Sequence, residues 1–102
     1  MFLVEVLLNV TETTKAIAMN YYYKLSRNQR RDFGAFSDIE ISFCLLILAL
    51  KYDQDEAPTM RLAVEIFNNY APMPYERLKL DKMLDLEIFI LQALNWDTYY
   101  VY

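Results

Sequence analysis

The chain has 102 residues, 56% of them hydrophobic, and contains one glycine, three prolines and no histidine. So few turn formers argue against an all-β fold, which needs a turn about every 8–12 residues, and favour one all-helical domain over residues 1–102. The net charge of −4 argues against nucleic acid as a partner.

Two helices are predicted in the first quarter of the chain. The first is short and covers residues 2–8. Asn9 starts a segment with the spacing of a capping box, and Thr11 is an alternative cap for the second helix. That helix is predicted over residues 12–25, because three apolar residues recur there at every fourth position: Ile17, Tyr21 and Leu25. The polar run 26–36 is predicted to be a loop.

The third predicted helix follows a second capping box, in which Ser37 precedes Glu40 by three residues. Residues 41–50 then have Ser42 as their only polar side chain. A helix that is apolar on every side has to be surrounded by others, so we expect this one to be central. On that expectation, Leu46→Ala would destabilise the fold by about 2–5 kcal/mol through cavity formation.

Prolines separate the last two predicted helices from the rest. Pro58 precedes the fourth helix, predicted over residues 59–70, and two more prolines precede the fifth, predicted over residues 77–94. Asn95 is a plausible C-terminal residue for the fifth helix. Four apolar residues of the fourth helix are expected to face inward: Met60, Ala63, Val64 and Phe67.

Two charged residues lie in segments that otherwise read as protein interior. Lys51 closes the apolar third helix, and Glu87 falls on the apolar side of the fifth. The opposite, solvated face of the fifth helix is predicted to carry Asp81, Asp85 and Gln92. A charge near the interior needs a partner, and two explanations remain open: an internal Lys51–Glu87 bridge, or a site that binds another protein.

The sequence lacks the groups that most catalytic and metal sites use. Without histidine, the commonest general base and metal ligand are missing. Asp53 and Asp55 open a segment like a calcium loop, but positions six and twelve are Pro58 and Val64 where glycine and glutamate are needed. Together with Glu56 they are therefore interpreted as a solvated loop, and contact with the basic residues of a partner is the alternative. We expect no enzyme, no cofactor and no metal site.

Cys44 is the only cysteine, which excludes a disulfide within the chain and suggests a reducing compartment. Its place in an apolar run favours core packing over reactivity. The longest apolar run is far shorter than the ~20 residues of a spanning helix. We therefore expect an intracellular protein without a membrane partner.

The segments around the two charges resemble the cyclin family. The end of the third helix is similar to that of the cyclin box, which commonly reads Leu-Ala-Ser-Lys and then an aromatic residue: Leu48-Ala49-Leu50-Lys51-Tyr52. The fifth helix looks like its counterpart, usually Met-Glu, then Ile-Leu, then Leu and an aromatic: Leu86-Glu87, Ile90-Leu91 and Leu94-Asn95-Trp96. A weaker similarity to the second helix lies at residues 17–25, and the resemblance covers roughly residues 2–102.

The resemblance implies a five-helix, cyclin-box-like bundle with a central apolar helix and a shortened first helix. It further implies a regulatory subunit that binds and activates a cyclin-dependent protein kinase, in the nucleus or cytoplasm, with a role such as cell-cycle control. In cyclins the residues matching Lys51 and Glu87 face the kinase and help hold its αC helix in the active position. By the same mapping, Leu48, Tyr52 and Leu91 provide apolar contacts.

The chain also departs from the family pattern. Its first helix lacks the Met-Arg-Ala-Ile-Leu type motif that docks substrates, and Tyr23 stands where members tend to have an aspartate. No second cyclin box follows Trp96, so we expect a fragment or a shortened cyclin. The alternatives are a cyclin-fold adaptor without a kinase, or a helical oligomerisation module that uses the aromatic residues at 96 and 99–102.

Overall fold

A computed structural model describes residues 2–28, 36–54, 57–71 and 77–94, and all regular structure within them is helical. The elements are α1 (Phe2–Leu7), α2 (Glu12–Asn28), α3 (Asp38–Asp53), α4 (Met60–Tyr70) and α5 (Leu80–Ala93). The predicted all-α class is therefore confirmed. Helix α1 has only six residues, whereas the other four helices have between 11 and 17. The cyclin-box arrangement of five helices stays a prediction.

Capping residues fix where α2 and α3 begin. Ser37 accepts a hydrogen bond from the Glu40 backbone N–H, and Glu40 accepts one from the Ser37 N–H at 2.8 Å, so the predicted capping box is confirmed. For α2 the cap is Thr11, whose hydroxyl accepts from the Thr14 N–H at 3.1 Å. Asn9 instead adopts a φ of 58° just after α1, a conformation that asparagine tolerates better than most residues.

The central helix is α3, in which nine of sixteen residues are buried. It packs against α2 and α5, while α4 packs against α1 and α5. The Phe43 ring lies 5.0 Å from the Phe67 ring and joins α3 to α4. The residues predicted to face inward are buried as expected: Ile17, Tyr21, Leu25, Met60, Ala63, Val64 and Phe67.

One side of α3 is less enclosed than its sequence suggests. Leu46 is only half-buried and Ser42 is exposed, whereas Leu45, Ile47 and Leu50 are at most 2% exposed. The expectation that α3 is surrounded on every side is therefore wrong for the stripe through residues 42 and 46. The large destabilisation expected for Leu46→Ala belongs instead to the fully buried leucines of α3.

Two helix boundaries differ by three residues from the sequence prediction. Helix α2 continues to Asn28, three residues into the predicted loop, and α5 begins at Leu80 instead of residue 77. The later start of α5 follows from Asn68 of α4, whose side chain bonds both backbone groups of Leu78 at 2.6 and 2.9 Å. Both backbone polar groups of Leu78 are therefore bonded to α4, and the last helix begins two residues later. The predicted C-terminal Asn95 lies outside the described residues.

The C-terminal end of α3 is tied to the start of α2 by polar side chains. Asp53 accepts hydrogen bonds from the hydroxyls of Thr14 (2.9 Å) and Thr11 (3.4 Å), and the Gln54 amide donates to the Asn9 carbonyl oxygen at 2.8 Å. The interpretation of Asp53 as part of a solvated loop is therefore wrong. Its carboxylate satisfies the buried Thr14 hydroxyl and lies at the positive end of the α2 dipole. Asp55 and Glu56 lie outside the described residues.

A first ion pair between α3 and α5 joins Glu40 to Lys82 at 3.1 Å. Lys82, the residue after Asp81 on α5, extends to this buried carboxylate of α3. Burial raises the pKa of Glu40, but the hydrogen bond from the Ser37 N–H and the Lys82 ammonium outweigh it, so that pKa lies below its usual value.

Glu40→Gln is expected to reduce the free energy of unfolding at neutral pH by about 1–2 kcal/mol, because charge-assisted hydrogen bonds are lost. Since the pKa of Glu40 is lowered by folding, its stabilisation is present above the unfolded-state pKa of ~4.3 and is lost as the pH falls through the lower folded value. Urea denaturation of both proteins from pH 7 to pH 3 measures this difference. If the difference in unfolding free energy between the two proteins stayed constant below pH 4, the ionised Glu40 carboxylate would not be the source of the stabilisation.

No described helix is long and apolar enough to cross a membrane.

Candidate functional site

Lys51 and Glu87 meet across the α3–α5 interface. The Lys51 Nζ lies 2.6 Å from Glu87 Oε2, and the two side chains are 40% and 15% exposed. Lys51 stands in the last turn of α3, where a cation is stabilised by the helix dipole. Glu87 projects from the middle of α5, so each helix contributes one charge to a half-buried pair.

This contact answers one of the two questions that the sequence left open. The internal bridge forms, and the Glu87 carboxylate is neutralised by Lys51 within the chain. The two charges by themselves therefore no longer require a partner, because each already compensates the other. A binding site at this place would therefore depend on the residues that surround the pair.

Those surroundings form one open cavity of about 440 Å³ between α3 and α5, referred to below as the α3–α5 cavity. Its lining is the set that the cyclin resemblance assigns to kinase contact: Leu48, Lys51, Tyr52, Glu87 and Leu91. Leu48 is buried and Leu91 half-buried, while Tyr52 is 36% exposed. The structure thus brings all five residues together, with apolar side chains beside an ion pair. Whether they contact a kinase stays a prediction.

Both charged groups keep hydrogen-bonding capacity beyond their contact with each other. An ammonium has three N–H donors and a carboxylate two acceptor oxygens, and the described contact uses one N–H and Oε2. The pair can therefore accept from and donate to the backbone groups of another chain without breaking. Because each charge holds the other in place, less side-chain entropy is lost on binding than for two free side chains.

An apolar strip on the outer face of α5 lies next to the cavity. Leu84 and Ile88 are 41% and 51% exposed, one helical turn apart, and Leu91 follows Ile88 by three residues. Helical periodicity does not predict this strip, because at 100° per residue Leu84 falls on the same apolar side of α5 as Met83, which is buried. Asp81 and Asp85 are exposed beside it, as predicted. A continuous apolar strip at a polar rim is typical of protein-binding surfaces.

The Cys44 thiol is placed for packing in the core. Cys44, the only cysteine, is fully buried, and its pKa is raised by loss of hydration and by the nearby Glu87 carboxylate. A thiol in that state is a poor nucleophile, so its predicted role in core packing agrees with its surroundings. No group of residues that could hold a metal ion occurs in the described part of the chain.

No protein-family model matches this chain, and no curated protein or solved structure matches it either. The residue pattern of the third and fifth helices and the geometry around Lys51 and Glu87 are therefore the observations that bear on function.

Proposed function

We propose that this chain is a cyclin-like regulatory subunit that binds a cyclin-dependent protein kinase and favours its active conformation. The observation that supports the proposal most directly is the α3–α5 cavity, which is lined by the five residues that the resemblance assigns to kinase contact. These residues are separated by up to 43 positions in the sequence, and only their pattern suggested a common site.

In the proposed complex the kinase αC helix packs over the α3–α5 cavity. Tyr52 and Leu91 supply the large apolar contacts that usually contribute most to affinity. Lys51 and Glu87 bond backbone groups at the end of αC and select its inward position. The kinase's own Lys–Glu pair can then form, so the mechanism is a population shift and uses no catalytic group of this chain.

A test separates this role from a merely internal ion pair. The chain is used to capture a panel of cyclin-dependent kinases, and the wild type is compared with a Lys51→Glu, Glu87→Lys double variant. The double variant can re-form the internal bridge with reversed polarity, but it presents the wrong charges to a partner. We expect the wild type to capture one kinase selectively and raise its activity, and the folded double variant to do neither.

The matched control is Lys82→Met, which removes the Glu40–Lys82 ion pair and changes none of the described residues that line the cavity. It should capture the kinase as the wild type does. If both variants captured the kinase, the Lys51–Glu87 pair would serve the fold and would play no part in kinase binding. Failure of the folded wild type to capture any kinase would refute kinase binding.

One observation favours an alternative, a helical interaction or oligomerisation module without a kinase. The internal bridge leaves neither charge in need of a partner, while several apolar side chains remain exposed, including Met19, Leu84 and Ile88. An oligomer built on these side chains would show a concentration-dependent mass in sedimentation that does not respond to a change at Lys51. Trp96 and the tyrosines at 99–102, also predicted to contribute, lie outside the described residues.

A further inference from the structure

The outer face of α5 carries two exposed carboxylates beside the apolar strip. Asp81 and Asp85 lie one helical turn apart. At 100° per residue, Leu84 and Ile88 lie within about 100° of both of them around the helix axis. A partner that covered the strip would therefore also meet the carboxylates. None of these four residues is among the described residues that line the α3–α5 cavity.

The one cation on α5 is already bonded elsewhere. Lys82 precedes Asp85 by three residues, a spacing at which an ion pair can form along a helix. Its ammonium is instead paired with Glu40 at 3.1 Å and lies 5.6 Å from the centre of the Phe36 ring. Within the part of the chain that the structure describes, no hydrogen bond or ion pair reaches Asp81 or Asp85 through its side chain.

Two exposed cations precede α5, and neither neutralises the carboxylates. Lys79 lies about 160° from Asp81 and about 120° from Asp85 around the helix axis, so it belongs to a different side of the helix. Arg77 stands three residues before the helix begins, and it forms no ion pair with the described residues of α5. The outer face of α5 is therefore acidic as well as apolar.

The helix dipole explains only one of the two carboxylates. Asp81 lies in the first turn of α5, where the positive end of the dipole stabilises a negative charge. Asp85 lies a full turn further on, where that effect has faded, and it is repelled by Asp81. Around the axis it is flanked by Ile88 and Phe89, which are 51% and 46% exposed. A cation from a partner would stabilise this carboxylate.

The geometry of the face favours a helix as its occupant. All regular structure in the described residues is helical, so they offer no strand edge to an extended segment. An extended segment would leave its own backbone groups unpaired against the apolar strip. A helix bonds its backbone internally and presents apolar side chains at spacings of three and four residues. Those spacings match the two turns of α5 from Leu84 to Leu91.

The carboxylates indicate the charge of that helix. Nucleic acid and anionic lipid surfaces are repelled by an acidic face. A lysine or arginine side chain can lay its aliphatic stem along Ile88 and Phe89 while its charged end reaches Asp85. A second cation one turn away on the same partner helix would meet Asp81.

We propose that the outer face of α5 binds an amphipathic helix of a partner protein. The apolar row of that helix covers the strip, and its lysine or arginine residues, one turn apart, pair with Asp81 and Asp85. This site goes beyond the proposed kinase role and does not depend on it, because the charges and the exposed leucine and isoleucine lie outside the α3–α5 cavity.

The probes are two capped helical peptides of about 18 residues, long enough to form a helix in water. Both carry a row of leucines, flanked in one peptide by lysines one turn apart and in the other by glutamates. Binding is followed by methyl NMR, in which the exposed Ile88 reports on the strip while the buried Ile17 and Ile47 serve as references. We expect the Ile88 methyl to shift with the basic peptide, and the acidic peptide to bind about five- to tenfold more weakly.

Three variants complete the test, each checked by circular dichroism to be folded. Asp85→Lys is expected to abolish the preference for the basic peptide. Leu84→Gln should weaken binding of both peptides by about threefold or more, because apolar contact is lost. The matched control is Glu65→Lys, which makes the same change of charge on the exposed side of α4 and should leave the preference intact.

Equal affinity of the wild type for both peptides, or no Ile88 shift at millimolar peptide, would overturn the proposal. An unchanged preference in Asp85→Lys would also overturn it, since the carboxylate would then have no part in selecting the partner. Self-association of the wild type that Leu84→Gln abolishes would do the same, because a second copy of the chain would then cover the strip.

Discussion

Replacing Leu50 by alanine is expected to lower the free energy of unfolding by about 2–5 kcal/mol, the range for removing a leucine from a close-packed core. Leu50 is fully buried in α3, which packs against α2 and α5. A domain of this size is stable by only about 5–15 kcal/mol, so the variant should lose a large part of its stability. Urea denaturation followed by far-UV circular dichroism measures the loss, provided that the slope with urea is unchanged.

Leu46→Ala on the same helix is the matched control. Because Leu46 is only half-buried and lines an open cavity between α2 and α3, its truncation should cost only about 1 kcal/mol. The difference between the two variants therefore tests whether α3 has an open side. Equal losses would contradict the open side and would mean that Leu46 is buried in solution as deeply as Leu50.

The second large effect concerns the proposed kinase complex. Glu87→Ala should weaken binding of the captured kinase by about 1–3 kcal/mol, or roughly 5- to 150-fold in Kd, if the carboxylate meets backbone donors of the partner. Its effect on the stability of the free chain should be small. Its ion-pair partner Lys51 is 40% exposed and can turn to water when Glu87 is removed.

Titration calorimetry with the purified kinase and the wild type, Glu87→Ala and Lys51→Ala measures the loss. Lys82→Ala is the control, since it removes an α3–α5 ion pair outside the cavity. A Glu87→Ala affinity equal to that of the wild type would mean that the Lys51–Glu87 bridge serves the fold alone. A loss of the same size in Lys82→Ala would point to a general loosening of the α3–α5 interface instead of a specific contact.

Local rules were sufficient where the cause of a structure lies within a few residues. The Ser37–Glu40 capping box was predictable, because a serine and a glutamate three residues apart can satisfy each other's backbone groups at a helix start. The inward stripe of α4 was predictable for the same reason, since helical periodicity fixes which side chains share a face. The choice between Asn9 and Thr11 as the α2 cap was not, because both offer the same chemistry.

The sequence by itself determined the all-α class, the central position of α3 and the segments that contribute Lys51 and Glu87. Each depends on composition or on a repeat along one helix. Only the tertiary structure decided that the two charges pair, that Leu46 is left half-exposed, that Asp53 bonds the start of α2, and that Asn68 holds Leu78. Apart from the contact over ten residues between Asn68 and Leu78, these features join parts of the chain more than 35 residues apart or depend on how neighbouring helices pack. Periodicity specifies which face of a helix is apolar, but the neighbour that covers it depends on how all the helices pack together.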